Sequence, residues 1–300
     1  MTVSLSPSAW VRSPHPLPQA QLRLFCFPYG GGDASLFHAW PQALPPDVAD
    51  HIEICPIQLP GRAHRIHEPL FTRLSSLIDV LVPQDLVASP LYPYLDKPFA
   101  FFGASLGGLL AFEIAHALDT RHQRSAVALC VAATRAPQFP GAYGIEGAEH
   151  LNDAELVEQI RVLGGTPEAI LSNEKHLRLI LPKIRADAMM AATYVYTPGL
   201  SLDCPITVCA GVNDGFISFA ELAAWQAHTW QTFRMYTFAG DHFFVRDATP
   251  ATRAQLLEYL ARTVRYALTP GTALALTIHG REQVTMNGDV QKSRGNRGSI

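Results

Sequence analysis

The sequence contains no run of about 18 apolar residues, so no segment is long enough to cross a bilayer as a helix. Basic charge is not in excess: 23 Lys and Arg stand against 26 Asp and Glu, a formal net charge of −3. That balance excludes nucleic-acid binding driven by bulk positive charge. Cysteine is scarce and odd in number, with Cys26, Cys55, Cys130, Cys204 and Cys209 and no CxxC spacing. Neither a disulfide framework nor a zinc site is expected, and the thiols read as buried groups in a reducing cytoplasm. The glycine patterns of nucleotide sites are missing too. The run Gly30–Gly32 is followed by no G-K-[ST] and lacks G-x-G-x-x-G spacing. No histidine pair has metal-ligand spacing, so neither metal nor cofactor is expected. Residues 1–21 have no continuous apolar stretch and are broken by prolines, so they read as a loose leader rather than a secretory signal.

What is present is material for a large core: 48% hydrophobic residues against 16% charged. Short apolar runs predict strands at Leu22–Phe27, Ile52–Ile57, Phe99–Phe102, Ala126–Thr134, Pro205–Gly211 and Phe233–Phe238. Between them lie helical patterns at 72–87, with a proline interruption, and at Leu109–Leu118, Ala220–Thr229 and Thr249–Leu268. Alternation of this kind predicts an α/β fold with a mostly parallel sheet covered by helices on both faces. Between about 135 and 202 the strand rhythm stops. Asp153–Leu163 is amphipathic, and a second helical region, Thr166–Tyr194, contains Pro182 as an expected kink or break. This stretch reads as a helical insertion in a domain spanning 22–268. Residues 269–300 are mostly polar and aperiodic and read as a disordered tail.

The strongest local signal is Gly103-Ala104-Ser105-Leu106-Gly107, a G-x-S-x-G pattern between a strand and a helix. A serine on so tight a turn is lifted clear of the sheet, and the two glycines make room for the turn. The competing reading is a glycine-rich turn with an incidental serine. A serine nucleophile needs a base, and His242 follows the last strand in AGDHFF. The base needs an orienting acid, and Asp214 follows the strand before it; Asp241 is too close in the chain to turn onto its neighbour's ring. In a parallel sheet all strand C-termini share one edge, so the three can meet there. The order Ser105, Asp214, His242 is that of α/β-hydrolases. In that fold the oxyanion is received by the N–H of the residue after the nucleophile, Leu106, and by one from the first glycine loop, Gly30 or, as an alternative, Tyr29.

Taken with LFCFPYGGGDASLFHAWPQALP, IEICPIQLPGRAHR, FFGASLGGLLAFEIAHAL, LGGTPEAIL, LPKIRADAMMAATYVY, LDCPITVCAGVNDG and AGDHFF, the chain resembles the type II thioesterases of nonribosomal peptide and polyketide synthesis. The PGRxxR and LPxxRAD segments set it apart from generic α/β-hydrolases. The resemblance implies hydrolysis of acyl, aminoacyl or peptidyl thioesters on the phosphopantetheine arm of carrier proteins, met transiently. It implies Ser105, Asp214 and His242 as the triad, Gly30 and Leu106 as oxyanion donors, and the insertion as a lid. Ala104 departs from the family, which usually has histidine there. A free-standing acyl-CoA thioesterase or carboxylesterase, and a catalytically silent binding protein, are the alternatives. Leu171, Leu179, Ile180, Met189 and Met190 are expected either to line an acyl chamber or to pack the lid. Arg62, Arg65, Lys175, Arg178, Lys183 and Arg185 are the candidate basic contacts for a carrier protein.

Overall fold

The computed structural model describes residues 2–268 apart from 14, 140–144, 146 and 199–200. The expected tail, 269–300, lies outside the described residues. Strands β1 (Leu22–Phe27), β2 (Ile52–Pro56), β3 (Phe99–Ala104), β4 (Ala128–Ala132), β5 (Ile206–Gly211) and β6 (Phe233–Phe238) form one sheet in the order β2-β1-β3-β4-β5-β6. Every neighbouring pair is parallel. The α-helices are α1 (Pro7–Trp10), α2 (Pro46–Ala49), α3 (Leu74–Leu81), α4 (Leu106–His122), α5 (Asp153–Leu163), α6 (Glu168–Leu171), α7 (Glu174–Ala192), α8 (Phe219–Ala223) and α9 (Pro250–Leu268).

Successive strand side chains point to opposite faces, and here both faces are apolar. β1 sends Phe25 and Phe27 to one face and Leu22, Leu24 and Cys26 to the other; β3 does the same with Phe99 and Phe101 against Ala100 and Phe102. The first face packs Leu77 and Leu81 of α3 and Leu109 and Phe112 of α4. The second packs Leu256, Leu257 and Leu260 of α9, with Phe37 and Trp40. α4 is buried around most of its circumference because it lies beneath further structure as well as on the sheet. Between β4 and β5 the chain carries α5, α6 and α7, which share an apolar cluster of their own built on Leu156, Val157, Ile160, Leu171, Leu181 and Ala188.

The sequence reading needs correction at two places. The leader is not loose. Trp10 is fully buried, its indole Nε1–H donates to the Ser4 carbonyl at 2.6 Å, and the Arg65 guanidinium lies 4.1 Å above its ring. Arg12 N–H also donates to the Pro56 carbonyl beside the end of β2. One large aromatic anchor outweighs the proline content around it. Pro182 does not break its helix: α7 runs through it from Glu174 to Ala192. The ring sits on the exposed side of the helix, where the carbonyl that loses its partner is open to water. The break falls earlier, at Ser172–Asn173, where the Asn173 side chain accepts from the N–H groups of Lys175 and His176 and starts α7.

Candidate active site

β3 delivers the chain to Ser105, whose backbone adopts φ +50°, ψ −121° before α4 begins at Leu106. For a residue with a Cβ this conformation costs about 1–3 kcal/mol and survives only where its surroundings hold it. Here Ser105 N–H donates to the Ala132 carbonyl at the end of β4, and the Ser105 carbonyl accepts from Thr134 Oγ1–H and Gly108 N–H. The flanking glycines leave no space for anything larger. A Cβ on Gly103 would lie 2.1 Å from the Gly107 carbonyl oxygen, and one on Gly107 would lie 2.3 Å from that of Phe27. Both obstacles are backbone. Gly107→Ala is therefore expected to cost about 3 kcal/mol or more, the upper end of overpacking penalties, and a thermal melt is the check.

β5 and β6 bring up the other two side chains. Their C-terminal loops are laced together: Val212 N–H donates to the Phe238 carbonyl and Asn213 N–H to that of Gly240. Gly211 is in contact with the Asp241 backbone so closely that a Cβ there would be 2.2 Å from its carbonyl oxygen. This close packing sets Asp214 opposite His242. The distance from His242 Nδ1 to Asp214 Oδ2 is 2.9 Å, and from His242 Nε2 to Ser105 Oγ 3.0 Å. Asp241, the alternative acid, is exposed and instead accepts the N–H of Phe243 in its own turn.

The Asp214 side chain is only 2% exposed. Burial pushes its carboxyl up, but the His242 ring and the N–H groups of Phe216 and Ile217 outweigh that and leave it below the ordinary aspartate value. The rings of Phe216 and Phe243 stand edge-on to the imidazole at 5.6 and 5.2 Å, fixing its plane. Gly30 sits across from the start of α4, where a Cβ built on it would lie 3.8 Å from the Leu106 side chain. Among the described residues, neither the Gly30 N–H nor the Leu106 N–H donates a hydrogen bond within the chain. Both lie where a helix N-terminus and a glycine loop converge on Ser105.

Ser105, His242 and Gly30 open onto a cavity of about 210 Å³, walled by Ile145, Leu163, Ile184 and Ala188 from the β4–β5 segment. A second cavity, of about 200 Å³, shares Tyr29, Gly30, Leu163, Ile184 and Phe243 with it and carries Lys183 and Arg246. Of the five residues expected either to line a chamber or to pack the lid, none borders the cavity at Ser105. Leu171 is in the α5–α7 core, Leu179 is exposed, Met190 is in the main core, and Met189 lines a cleft of about 900 Å³ that holds none of the three catalytic candidates. Ile180 reaches the second cavity only. Helical phase decides this: 184 and 188 lie one turn apart on the face of α7 turned to Ser105.

Arg62 and Arg65, read as surface contacts, are 2% and 1% exposed. Arg65 pairs with Glu68, and Arg62 makes a two-pronged pair with Asp187 of α7 at 2.9 and 2.8 Å. Asp187 also accepts the Gly31 N–H at 2.6 Å and borders the cavity at Ser105. Asp187 carries no role in the sequence reading; a charge inside the LPKIRAD segment, between apolar neighbours, was the available signal.

The thioesterase-domain family profile matches residues 22–262. The chain belongs to the thioesterase family. This thioesterase is 36% identical over 264 residues to the protein of Brevibacillus parabrevis named linear gramicidin dehydrogenase LgrE, covering 87% of this chain and 94% of the relative. It is 35% identical over 238 residues to thioesterase PikA5 of Streptomyces venezuelae, covering 79% and 80%. Among solved structures it superposes on the type II thioesterase BorB of the borrelidin biosynthetic cluster with a TM-score of 0.72 and 34% identity, covering 86% of this chain and 98% of BorB. The thioesterase is thus a type II enzyme of the α/β-hydrolase fold, and its chemistry is hydrolysis of a thioester.

Proposed function

We propose that this thioesterase removes acyl, aminoacyl or peptidyl groups from the phosphopantetheine arm of carrier proteins in nonribosomal peptide or polyketide synthesis, in the cytoplasm, with Ser105 as nucleophile. The hydrogen-bonded line from Asp214 through His242 to Ser105, at the wall of an apolar cavity, carries this reading. With Nδ1–H donating to Asp214, His242 Nε2 is left to accept the Ser105 hydroxyl proton as Oγ attacks the thioester carbonyl. The negative charge on the carbonyl oxygen is received by the N–H groups of Gly30 and Leu106. The tetrahedral centre collapses, the C–S bond breaks, and the thiol leaves with the proton from His242. Water then attacks the acyl-serine with the same histidine as base, releasing the carboxylic acid.

The supports for a carrier-borne substrate are the relatives' names and the shape of the site. Two adjoining cavities suit a thin, extended substrate better than a compact ester, and Lys183 and Arg246 offer cations along the second. In this reading α5–α7 form a lid, and of the remaining basic candidates Lys175 and Arg178 lie on its exposed surface, Arg178 paired with Glu174 at 2.6 Å, while Arg185 is tied to Ala148, Leu151 and Asp153. The test is side-by-side hydrolysis of one acyl group on a phosphopantetheinyl carrier protein and on coenzyme A at fixed salt. Higher kcat/KM on the carrier is expected; equal or faster turnover of the coenzyme A ester selects the free-standing acyl-CoA thioesterase instead.

A further inference from the structure

Two motifs that distinguish this sequence, PGRAHR and LPKIRAD, have no part in the proton relay, yet the structure joins them. Arg62 of the first and Asp187 of the second form a buried ion pair, with side chains 2% and 3% exposed. Taking two charges out of water is costly, and an apolar pair of similar volume often serves stability as well or better. The arrangement is better explained by what else the two side chains hold. Asp187 Oδ2 accepts the Gly31 N–H at 2.6 Å, and Arg62 Nη1 donates to the Gly32 carbonyl at 3.0 Å. The pair therefore grips the residues immediately after Gly30 at both a donor and an acceptor. Gly31 has φ +78°, and a Cβ on it would come 2.9 Å from Ile184 of the same helix. The glycine loop is pressed against α7 and pinned there by a charge.

We infer that the Arg62–Asp187 pair is a positioning device for the oxyanion hole: it fixes the loop so that the Gly30 N–H faces the reacting carbonyl, and it makes that alignment depend on α7 being seated. This rests on the assignment of Ser105 and Gly30 above. Neither Arg62 nor Asp187 exchanges a proton in it. Asp187 supplies a negatively charged acceptor, which makes a shorter and stronger hydrogen bond than a neutral one. Arg62 keeps both Asp187 oxygens in one orientation. If α7 moves away to admit a substrate, Asp187 leaves with it and the loop loses its pin. The seating of the helix and the assembly of the anion site are then one event.

The test uses the full chain and an activated thioester or ester small enough to enter without the carrier. Single charge removals leave a buried partner uncompensated and risk unfolding, so two double variants are compared. Arg62→Met with Asp187→Leu removes both charges and the acceptor for Gly31. Arg62→Gln with Asp187→Asn removes both charges but keeps an amide oxygen for Gly31. Loss of an oxyanion donor costs about 10²–10³ in kcat, so a displaced one is expected to cost the Met/Leu variant roughly tenfold to a hundredfold. KM and melting temperature should stay near the parent values, and the Gln/Asn variant should recover most of the rate. A Met/Leu variant within about twofold of the parent in kcat, well inside that expected loss, overturns the inference. So does a loss seen in KM instead of kcat, or a Gln/Asn variant as slow as the Met/Leu one. Ser105→Ala run alongside keeps the two claims apart. If it remains active, the nucleophile assignment fails; if it is inactive while the Met/Leu variant is unimpaired, only the positioning role fails.

Discussion

Ser105→Ala is expected to abolish turnover, lowering kcat by roughly six orders of magnitude, as removal of a triad serine does elsewhere. In the proposed mechanism the hydroxyl oxygen bonds to the acyl carbon, and no second hydroxyl stands at hydrogen-bond distance from His242 Nε2 among the described contacts. The fold should persist. Ser105 holds its strained turn through its backbone, by Ser105 N–H to Ala132 and by Thr134 Oγ1–H and Gly108 N–H to its carbonyl, and alanine keeps all three. A single-turnover assay, a fluorophosphonate probe and a thermal melt together check this. Turnover and probe labelling should vanish while the melt is unchanged; an active, folded Ser105→Ala protein ends the assignment.

The second large effect is at the acid. Asp214→Asn is expected to lower kcat by about 10⁴, because an amide presents a donor to His242 Nδ1 and favours the tautomer with the proton on the wrong nitrogen. Asp241→Asn should leave kcat close to that of the parent, since the Asp241 carboxylate accepts the Phe243 N–H at the surface and an amide oxygen can do the same. Equal losses, or the reverse ranking, place the acid elsewhere. A stability signature accompanies the rate. The Asp214 carboxyl in the folded chain lies below its ordinary value, because the His242 ring and the Phe216 and Ile217 N–H groups outweigh burial. A group lowered on folding contributes stability above its unfolded pKa of about 3.9, and that contribution is lost as pH falls through the folded value. The melting temperature of the parent should therefore fall more steeply in acid below about pH 4 than that of Asp214→Asn, as measured by melts across that range.

The alternation of short apolar runs with helical periods was enough to establish a parallel, doubly covered sheet, because a strand buried on both faces must be apolar at every position. β6 is predicted from Phe233 to Phe238 and found there, and β5 starts one residue inside its predicted bound. Proline placed other limits less simply. The helical stretch expected over 72–87 with a proline interruption ends at Leu81, before Pro83, while α7 continues through Pro182. The residue before each proline differs: Val82 has already left the helical region, at φ −134° and ψ 68°, whereas Leu181 stays within α7, so the residue type alone does not decide where a helix stops.

That Ser105, Asp214 and His242 meet was legible because topology makes the connection. Each follows a strand, and parallel strands end on one edge whatever their separation in the chain. Only tertiary structure decided the rest. Trp10 lies in a proline-rich stretch whose local pattern announces no structure, and its burial depends on an Arg65 that sits 55 positions later in the sequence. Arg62 reads as a solvated charge until Asp187, 125 residues away, is folded against it. Which residues of α7 wall the cavity stayed open in the sequence for the same reason. Periodicity groups the apolar residues of a helix into faces, but which face meets the serine is set by how the helix is seated on the glycine loop, through contacts that no local pattern encodes.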